Sequence, residues 1–374
     1  MRYSYWEQDS FWAPADYVVI GAGITGMAAA LHLREKAPRA RIVVLERGSF
    51  SRGASTRNAG FACIGSPTEL LADLAIMPAG EVWELVARRW RGLVYLRRLL
   101  GDEAVRFVQA GGHEVFLQED EEVYAHCLDV LPEFNEHLAD ITGMYPFFET
   151  ARPVTREIPA VRRAIAIRGE GQLHPGYMMQ AFYRKAQSEN IEIRFGVEVS
   201  NWEAGDRDVT IHLAGGGRLR AARLLLATNG FASALVPDTD IRPARNLVLV
   251  TAPLTKLPWQ GSFHYHQGYV YFRNIGRRVL IGGGRHLDKE GETTAAFGEP
   301  AAIRRYLEHF LAGILPPGAG VEITHVWSGI MGLGPDKVPR LRHLAPNVVL
   351  AAGLGGMGVA LGSQLGSEAA DLLA

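Results

Sequence analysis

The chain has 374 residues, 48% of them hydrophobic, enough for a sizeable core and two domains. Its 39 basic and 40 acidic residues leave a formal net charge of −1, without the basic excess of a nucleic-acid-binding protein. Two cysteines, Cys63 and Cys127, argue against a disulfide framework or a patterned zinc or other metal site, and set the expectation of a reducing, cytoplasmic location.

The first stretch, "MRYSYWEQDSFWAP", is polar and aromatic and lacks the basic start and apolar run of a secretory signal. No segment reaches the ~18 uninterrupted apolar residues of a membrane span. "YVVI", Tyr17 to Ile20, reads as a short buried parallel strand. It breaks into "GAGITG", where Gly21, Gly23 and Gly26 fill the glycine positions of G-x-G-x-x-G, with Ile24 and Thr25 between them. A helical stretch ending at Pro38 follows, then a second buried strand, "RIVVLERG", which carries Glu46 and Arg47 at its carboxyl end. Glu46 stands about 20 residues past the last glycine, where a carboxylate accepts hydrogen bonds from ribose hydroxyls. The glycines allow a tight turn and close backbone approach to a pyrophosphate at the helix N-terminus. This unit predicts the ADP half of a dinucleotide, and FAD and NAD share it.

"GASTRNAG", Gly53 to Gly60, bears on that choice. Ala54, Ser55, Thr56 and Arg57 offer backbone N–H groups, hydroxyls and a charge near phosphate. Asn58, Ala59 and Gly60 are small enough for the backbone to reach a flavin ring. A dehydrogenase using NAD needs nothing special here, whereas an extended FAD runs past this loop. A plain Gly-Ser turn with a solvated arginine is the alternative reading.

From Ala79 to about Arg152, Val82, Val86, Trp90, Leu93, Leu96 and Leu100 recur at helical spacing with arginines on the other face, which predicts a long domain helix with a solvated basic face; a helix lying on an anionic membrane is the alternative reading. Further on, a helix from about Gly176 to Ser188 leads into the strand "FGVEVSNWE", and "ARLLLATNG" is a buried strand closing on Ala227 to Gly230. From about Pro237 to Glu322, "NLVLVTAPL", "FHYHQGYVYFRN" and "RRVLIGGG" read as an antiparallel sheet. There Tyr269 and Tyr271 share one face and Val270 and Phe272 the other. At the C-terminus "NVVLAAGLGGMGVALGSQLG" repeats strand, glycine loop and helix. A helix N-terminus beside a flavin ring stabilises the negative charge of its reduced form.

These pieces, in this order, resemble the D-amino acid oxidase superfamily of FAD-dependent oxidoreductases, which includes glycine oxidase, sarcosine oxidase and γ-glutamylputrescine oxidase. The similarity runs from Tyr17 to the last helix and is most specific in "GAGITG…LERG", "GASTRNAG", "LHPG", "ATNG" and "WSGIMGLGPDKVPRL…AAGLGGMG". It implies an α/β fold (α+β overall): a discontinuous Rossmann-like FAD-binding domain with an inserted antiparallel-sheet substrate domain. The cofactor pieces would be 1–78, 153–236 and 323–374, and the substrate pieces 79–152 and 237–322. By resemblance Val199 contacts the adenine through its backbone, and Ala227, Thr228, Asn229 and Gly230 line the cofactor. Gly329, Met331, Gly353, Gly355, Gly356, Met357 and Gly358 would face the flavin. Related sarcosine oxidases attach flavin through a late cysteine, and none follows Cys127, so non-covalent FAD is expected.

On the substrate side, Tyr269, Tyr271 and Arg273 are candidates, with His264 and His266 next; ordinary sheet packing is the alternative for each. Amino-acid-oxidising members of the family place an arginine just after "W-x-G" to fork onto the substrate carboxylate. Here that position is Met331, which makes an amine without an α-carboxylate the better fit. Arg285 or Arg273 could substitute, so amino acids and N-methyl amino acids stay open. The expected reaction is hydride transfer from the amine's α-carbon to flavin N5, hydrolysis of the imine, and reoxidation by dioxygen or another acceptor. An apolar, aromatic pocket would favour the neutral amine that the transfer requires.

Overall fold

Ala15–Ile20, Ile42–Glu46 and Val348–Ala352 are apolar runs buried along nearly their whole length. Strands of that kind need cover on both faces, which a parallel sheet flanked by helices provides. In this computed structural model, which describes residues 3–151 and 157–374, they form its centre. The parallel order is Val348–Ala352, Arg218–Leu226, Ala15–Ile20, Ile42–Glu46, Glu192–Phe195. Arg340–Ala345 adds antiparallel at one edge, and Val199–Ala204 and Val209–Leu213 extend from Arg218–Leu226.

Two helices leave the carboxyl edge of this sheet, Ile24–Lys36 after the first strand and Gly358–Leu373 after the last. Small residues let them touch: a Cβ on Gly366 would lie 2.5 Å from Thr25 O and 2.8 Å from Ala29 N. Their N-termini therefore sit together above the strand ends, the place where open α/β sheets bind ligands. The long helix Ala79–Leu100 packs on the C-terminal one, where a Cβ on Gly92 would lie 1.9 Å from Ala360 O. Its Val82, Val86, Leu93 and Leu96 are buried, and Trp90 and Leu100 pack partly against the same core. The expected solvated arginine face has exceptions: Arg88 pairs with Glu368 of the C-terminal helix, and Arg89 is 1% exposed. Its guanidinium donates to Ile64 O at 3.0 Å and pairs with Asp73 at 3.3 Å, which removes the cost of burying a lone charge. No helix among the described residues is long and apolar enough to cross a membrane.

The second sheet runs Ile323–Leu333, Arg242–Thr251, Arg278–Gly283, Val270–Ile275, Ser262–Tyr265, Gly112–Phe116, Arg163–Ile167, Phe148–Thr150. All its pairs are antiparallel except Ser262–Tyr265 with Gly112–Phe116. Helix Ala301–Ile314 packs Ile303, Leu307, Leu311 and Ile314 into a core with Phe263, Phe272 and Ile281. Phe263 and Phe272 stack there with centroids 4.7 Å apart.

The division into domains differs from expectation at two strands. Arg163–Ile167 and Ile323–Leu333, both assigned on sequence to cofactor pieces, belong to the second sheet. Residues on Ile323–Leu333 reach the cofactor side from across the cleft, so nearness to the nucleotide does not imply membership of its sheet. The expected boundary between residues 152 and 153 lies outside the described residues.

Candidate active site

A cavity of about 880 Å³, lined from both sheets, begins where Ala15–Ile20 ends. That is near the top of the roughly 300–1,000 Å³ range of ligand and cofactor pockets. Gly21 opens it in the left-handed region, at φ +106°. Gly21, Gly23, Ile24 and Thr25 are on the wall, whereas Gly26 stands behind it. A Cβ on Gly26 would lie 1.9 Å from Gly21 O, so this glycine serves helix-to-turn packing. Glu46 is on the wall and braces two loops: its carboxylate accepts from Ala22 N at 3.2 Å and Gly48 N at 2.9 Å. Arg47 lines the same end with its guanidinium 4.1 Å from the Phe231 ring centroid, and Val199 lines the cavity beside Val197 and Glu198.

The "GASTRNAG" loop folds into the single-turn helix Ala54–Arg57. Ser55 Oγ accepts from Ile24 N at 3.1 Å, which staples this loop to the start of the first nucleotide helix. Asn58 clamps the turn, donating to Ser55 O at 2.8 Å and accepting from Gly60 N at 2.9 Å. Ala54, Ser55, Arg57, Asn58, Ala59 and Gly60 line the cavity; Thr56 does not, because its hydroxyl turns back to Ser51 O. Arg57 donates to Ser328 O at 2.7 Å and lies 4.4 Å from the Phe297 centroid, so it is held rather than solvated.

Ala227, Thr228, Asn229 and Gly230 are on the wall, and so are Gly355, Gly356, Met357 and Gly358. Gly353 stands off it: its N–H and that of Leu354 donate to Asn229 Oδ1 at 3.0 and 3.3 Å, tying the two loops together. Gly329 and Met331 reach the wall from the second sheet, Met331 opposite Ala244 in register.

The substrate side is the second sheet's inner face. Tyr269 and Tyr271 line the cavity, while Val270 and Phe272 point into the core behind them. Tyr271 accepts a hydrogen bond from Asn246 Nδ2 at 3.4 Å, and Phe61 meets both Tyr271 and His264 edge-on at 5.5 and 5.3 Å. His264 is on the wall and His266 is not. The strand ends at Tyr265, and His266 and Gln267 turn through left-handed φ of 52° and 55°, so alternation no longer applies to His266. Its exposed ring packs near His286 and Tyr269 instead. Arg273 is also off the wall, although it shares the face of Tyr271. It is buried behind Gly60, donating to Gln172 Oε1 at 2.9 Å and Leu173 O at 3.2 Å, and burial pulls its pKa down to about 10.

Sequence reading missed the charged floor. His264 Nε2 lies 2.9 Å from Glu170 and Nδ1 lies 3.7 Å from Glu69, which is itself on the wall. Burial disfavours an imidazolium, but the charge and hydrogen bond of Glu170, then Glu69 and Glu114, outweigh it and hold His264 at about 9. Burial pushes Glu114 up to about 7 against its hydrogen bonds from Thr68. Cys63, Glu170 and His264 bring one donor atom each within 4.8 Å of one another. The Cys63 thiol, pushed well up by burial and then by the two glutamates, stays protonated, and Glu170 occupies His264 Nε2, so the group reads as a hydrogen-bonded network. Lys337, also on the wall, pairs with Asp73. A signal for Glu69 was present: "SPTE" is a capping box with proline at the first helical position, and Ser66 N donates to Glu69 Oε2 at 3.0 Å.

A family model described as FAD dependent oxidoreductase (DAO) matches residues 16–372. The chain belongs to this family. FAD is its cofactor. The DAO-family chain is 27% identical over 376 residues to "Probable oxidoreductase OrdL" of Rhizobium meliloti (strain 1021), covering 96% of this chain and 82% of that one. It is 22% identical to the sarcosine oxidase subunit beta of the same organism, covering 91% and 82%. The structure of glycine oxidase from Geobacillus kaustophilus superposes with a TM-score of 0.73 at 21% identity, covering 96% and 94%, a likeness of fold.

The residues present suit FAD. The start of helix Ile24–Lys36 opens on the cavity with glycine at its N-cap, where backbone N–H groups can meet a pyrophosphate, and Gly21 lets the turn pack on the neighbouring loop, since a Cβ there would lie 2.6 Å from Ala227 O. Glu46 would hold the ribose, Val197 to Val199 the adenine end, and Met331 with Gly355 to Gly358 the ring.

Proposed function

We propose that this chain oxidises the C–N bond of a small amine that lacks a carboxylate on the reacting carbon. FAD, when bound, supplies the hydride acceptor, and dioxygen or another acceptor takes the electrons onward. The chain's own work is to bind the amine neutral, orient it and keep water away until the imine leaves to hydrolyse. Tyr269, Tyr271 and Phe61 give that end of the cavity aromatic walls, which disfavour an ammonium once it is desolvated. Their ring faces also attract the cation as it enters. Two free, buried cysteines support a cytoplasmic setting; Cys63 is on the cavity wall, and no cysteine follows Cys127 in the later part of the chain, where related sarcosine oxidases attach flavin.

Met331 carries the reading. A thioether stands on the wall where a guanidinium fork would anchor an α-carboxylate; of the two arginines that could substitute, Arg273 is buried behind Gly60, and Arg285 lines the cavity from the end of a strand two places from that of Met331. The names of the relatives, a glycine oxidase and a sarcosine oxidase subunit, favour a second reading, oxidation of amino acids or N-methyl amino acids. Anaerobic bleaching of the flavin absorbance separates the two. Plain mono- and polyamines should reduce it, and glycine, proline and sarcosine should not. Reduction by the carboxylate-bearing set alone would sink the first reading.

A further inference from the structure

We infer that Arg285 binds a carboxylate carried by the substrate several bonds away from the carbon being oxidised, an inference that rests on the amine-oxidising reading above. Arg285 is distinguished by what it lacks. The other cations on the cavity wall are engaged or belong to the nucleotide end. Arg57 is bonded to Ser328 and stacked on Phe297, Lys337 is paired with Asp73, and Arg47 covers Phe231. Arg52 is exposed beside Gly48 and Glu46. Arg285 is half-buried on the wall, and its side chain has no hydrogen-bond, ion-pair or ring partner among the described residues.

The backbone is built to deliver it there. Strand Arg278–Gly283 ends in two left-handed glycines, at φ 114° and 79°. A Cβ on Gly283 would lie 1.9 Å from Tyr269 O, and Gly284 N donates to that same oxygen at 2.8 Å. The strand thus folds over Tyr269, and Arg285 emerges beside it. The surroundings favour an anion: Lys289 Nζ lies 5.2 Å from the Tyr269 centroid and the His286 ring lies 5.3 Å from it. Of the acids that follow it, Glu292 pairs with Arg245 at 2.7 Å, Asp288 accepts from Gly291 N at 2.9 Å and Glu290 is exposed.

Strand order bears on which carboxylate Arg285 takes. The order Ile323–Leu333, Arg242–Thr251, Arg278–Gly283 puts its strand two places from that of Met331. Met331 pairs with Ala244 and Gly283 with Leu247, a further offset of about three residues along the strands. Strand spacings of about 5 Å and rises of about 3.3 Å then separate the Met331 and Gly283 backbones by roughly 10–15 Å, and Arg285 follows two residues later, past the turn at Gly283 and Gly284. On that spacing Arg285 answers better to a carboxylate at the far end of an aminoalkyl chain than to an α-carboxylate beside Met331.

The test uses the FAD-loaded protein and two readouts. Wild type, R285Q and R285K are given γ-aminobutyrate, δ-aminovalerate and ε-aminocaproate, each beside its primary amide, with flavin reduction followed anaerobically. Glutarate, which cannot be oxidised at a C–N bond, is titrated against the flavin spectrum as a pure binding measurement. Wild type should favour at least one acid over its amide by about 10- to 100-fold in kcat/KM, the worth of a charge-assisted pair. That preference, and glutarate binding, should collapse in R285Q and partly return in R285K. A wild type indifferent to acid or amide across the series, or an R285Q that keeps the preference or the glutarate affinity, overturns the assignment. If no amine reduces the flavin, the amine-oxidising reading falls and the glutarate titration alone decides Arg285.

Discussion

Replacing Glu170 with glutamine should flatten the dependence of stability on alkaline pH. His264 is buried against Glu170 at 2.9 Å, with Glu69 at 3.7 Å on its other nitrogen. Burial alone would lower its pKa, yet Glu170 above all raises it from 6.5 to about 9. A group that holds its proton more tightly when folded contributes stability that is complete below the unfolded pKa of 6.5 and is lost as pH rises through about 9. The interval between those values corresponds to roughly 3 kcal/mol, of which about 2–3 kcal/mol is present at pH 7 and almost none at pH 10. Glu170→Gln keeps the shape and an acceptor but removes the charge, so the loss between pH 7 and 10 should shrink by about 2 kcal/mol. Glu114, pushed up to about 7 by burial, titrates at the lower edge of this window in both proteins. Tyrosines and lysines titrate alike in both proteins and cancel in the difference. Urea unfolding of the FAD-loaded wild type and variant at four pH values supplies that difference. Parallel stability curves would refute the claim that Glu170 holds His264 protonated.

Met331→Arg should restore a fork for an α-carboxylate and raise kcat/KM for glycine or proline at least about 10-fold, read by stopped-flow flavin reduction. Asn229→Ala removes the acceptor shared by the N–H groups of Gly353 and Leu354. FAD affinity should fall by roughly 1–3 kcal/mol, seen as flavin fluorescence released on dilution. Gly26→Ala would put a Cβ 1.9 Å from Gly21 O, so the purified variant should carry little or no flavin while retaining helical circular dichroism elsewhere.

The cofactor half was legible because its signals are local and made by backbone. A glycine that must turn, an acid at a strand end and a helix that must begin beside them are written within single stretches such as 17–46 and 348–358. The same holds for the opposite faces of Tyr271 and Phe272, which period-two alternation states directly. What alternation cannot state is how far along a face the cavity extends, or where a strand stops. Tyr271 and Arg273 share a face, yet one lines the cavity and the other is sealed behind Gly60. His264 and His266 are likewise two residues apart, and the strand ends between them. The charged floor was hidden for a different reason. Glu69 reads locally as a helix-capping residue, and Glu170 meets His264 across 94 positions of sequence with no pattern joining them. A buried charge finds its partner through the packing of the two sheets, so the charged floor became visible only when those sheets were placed face to face.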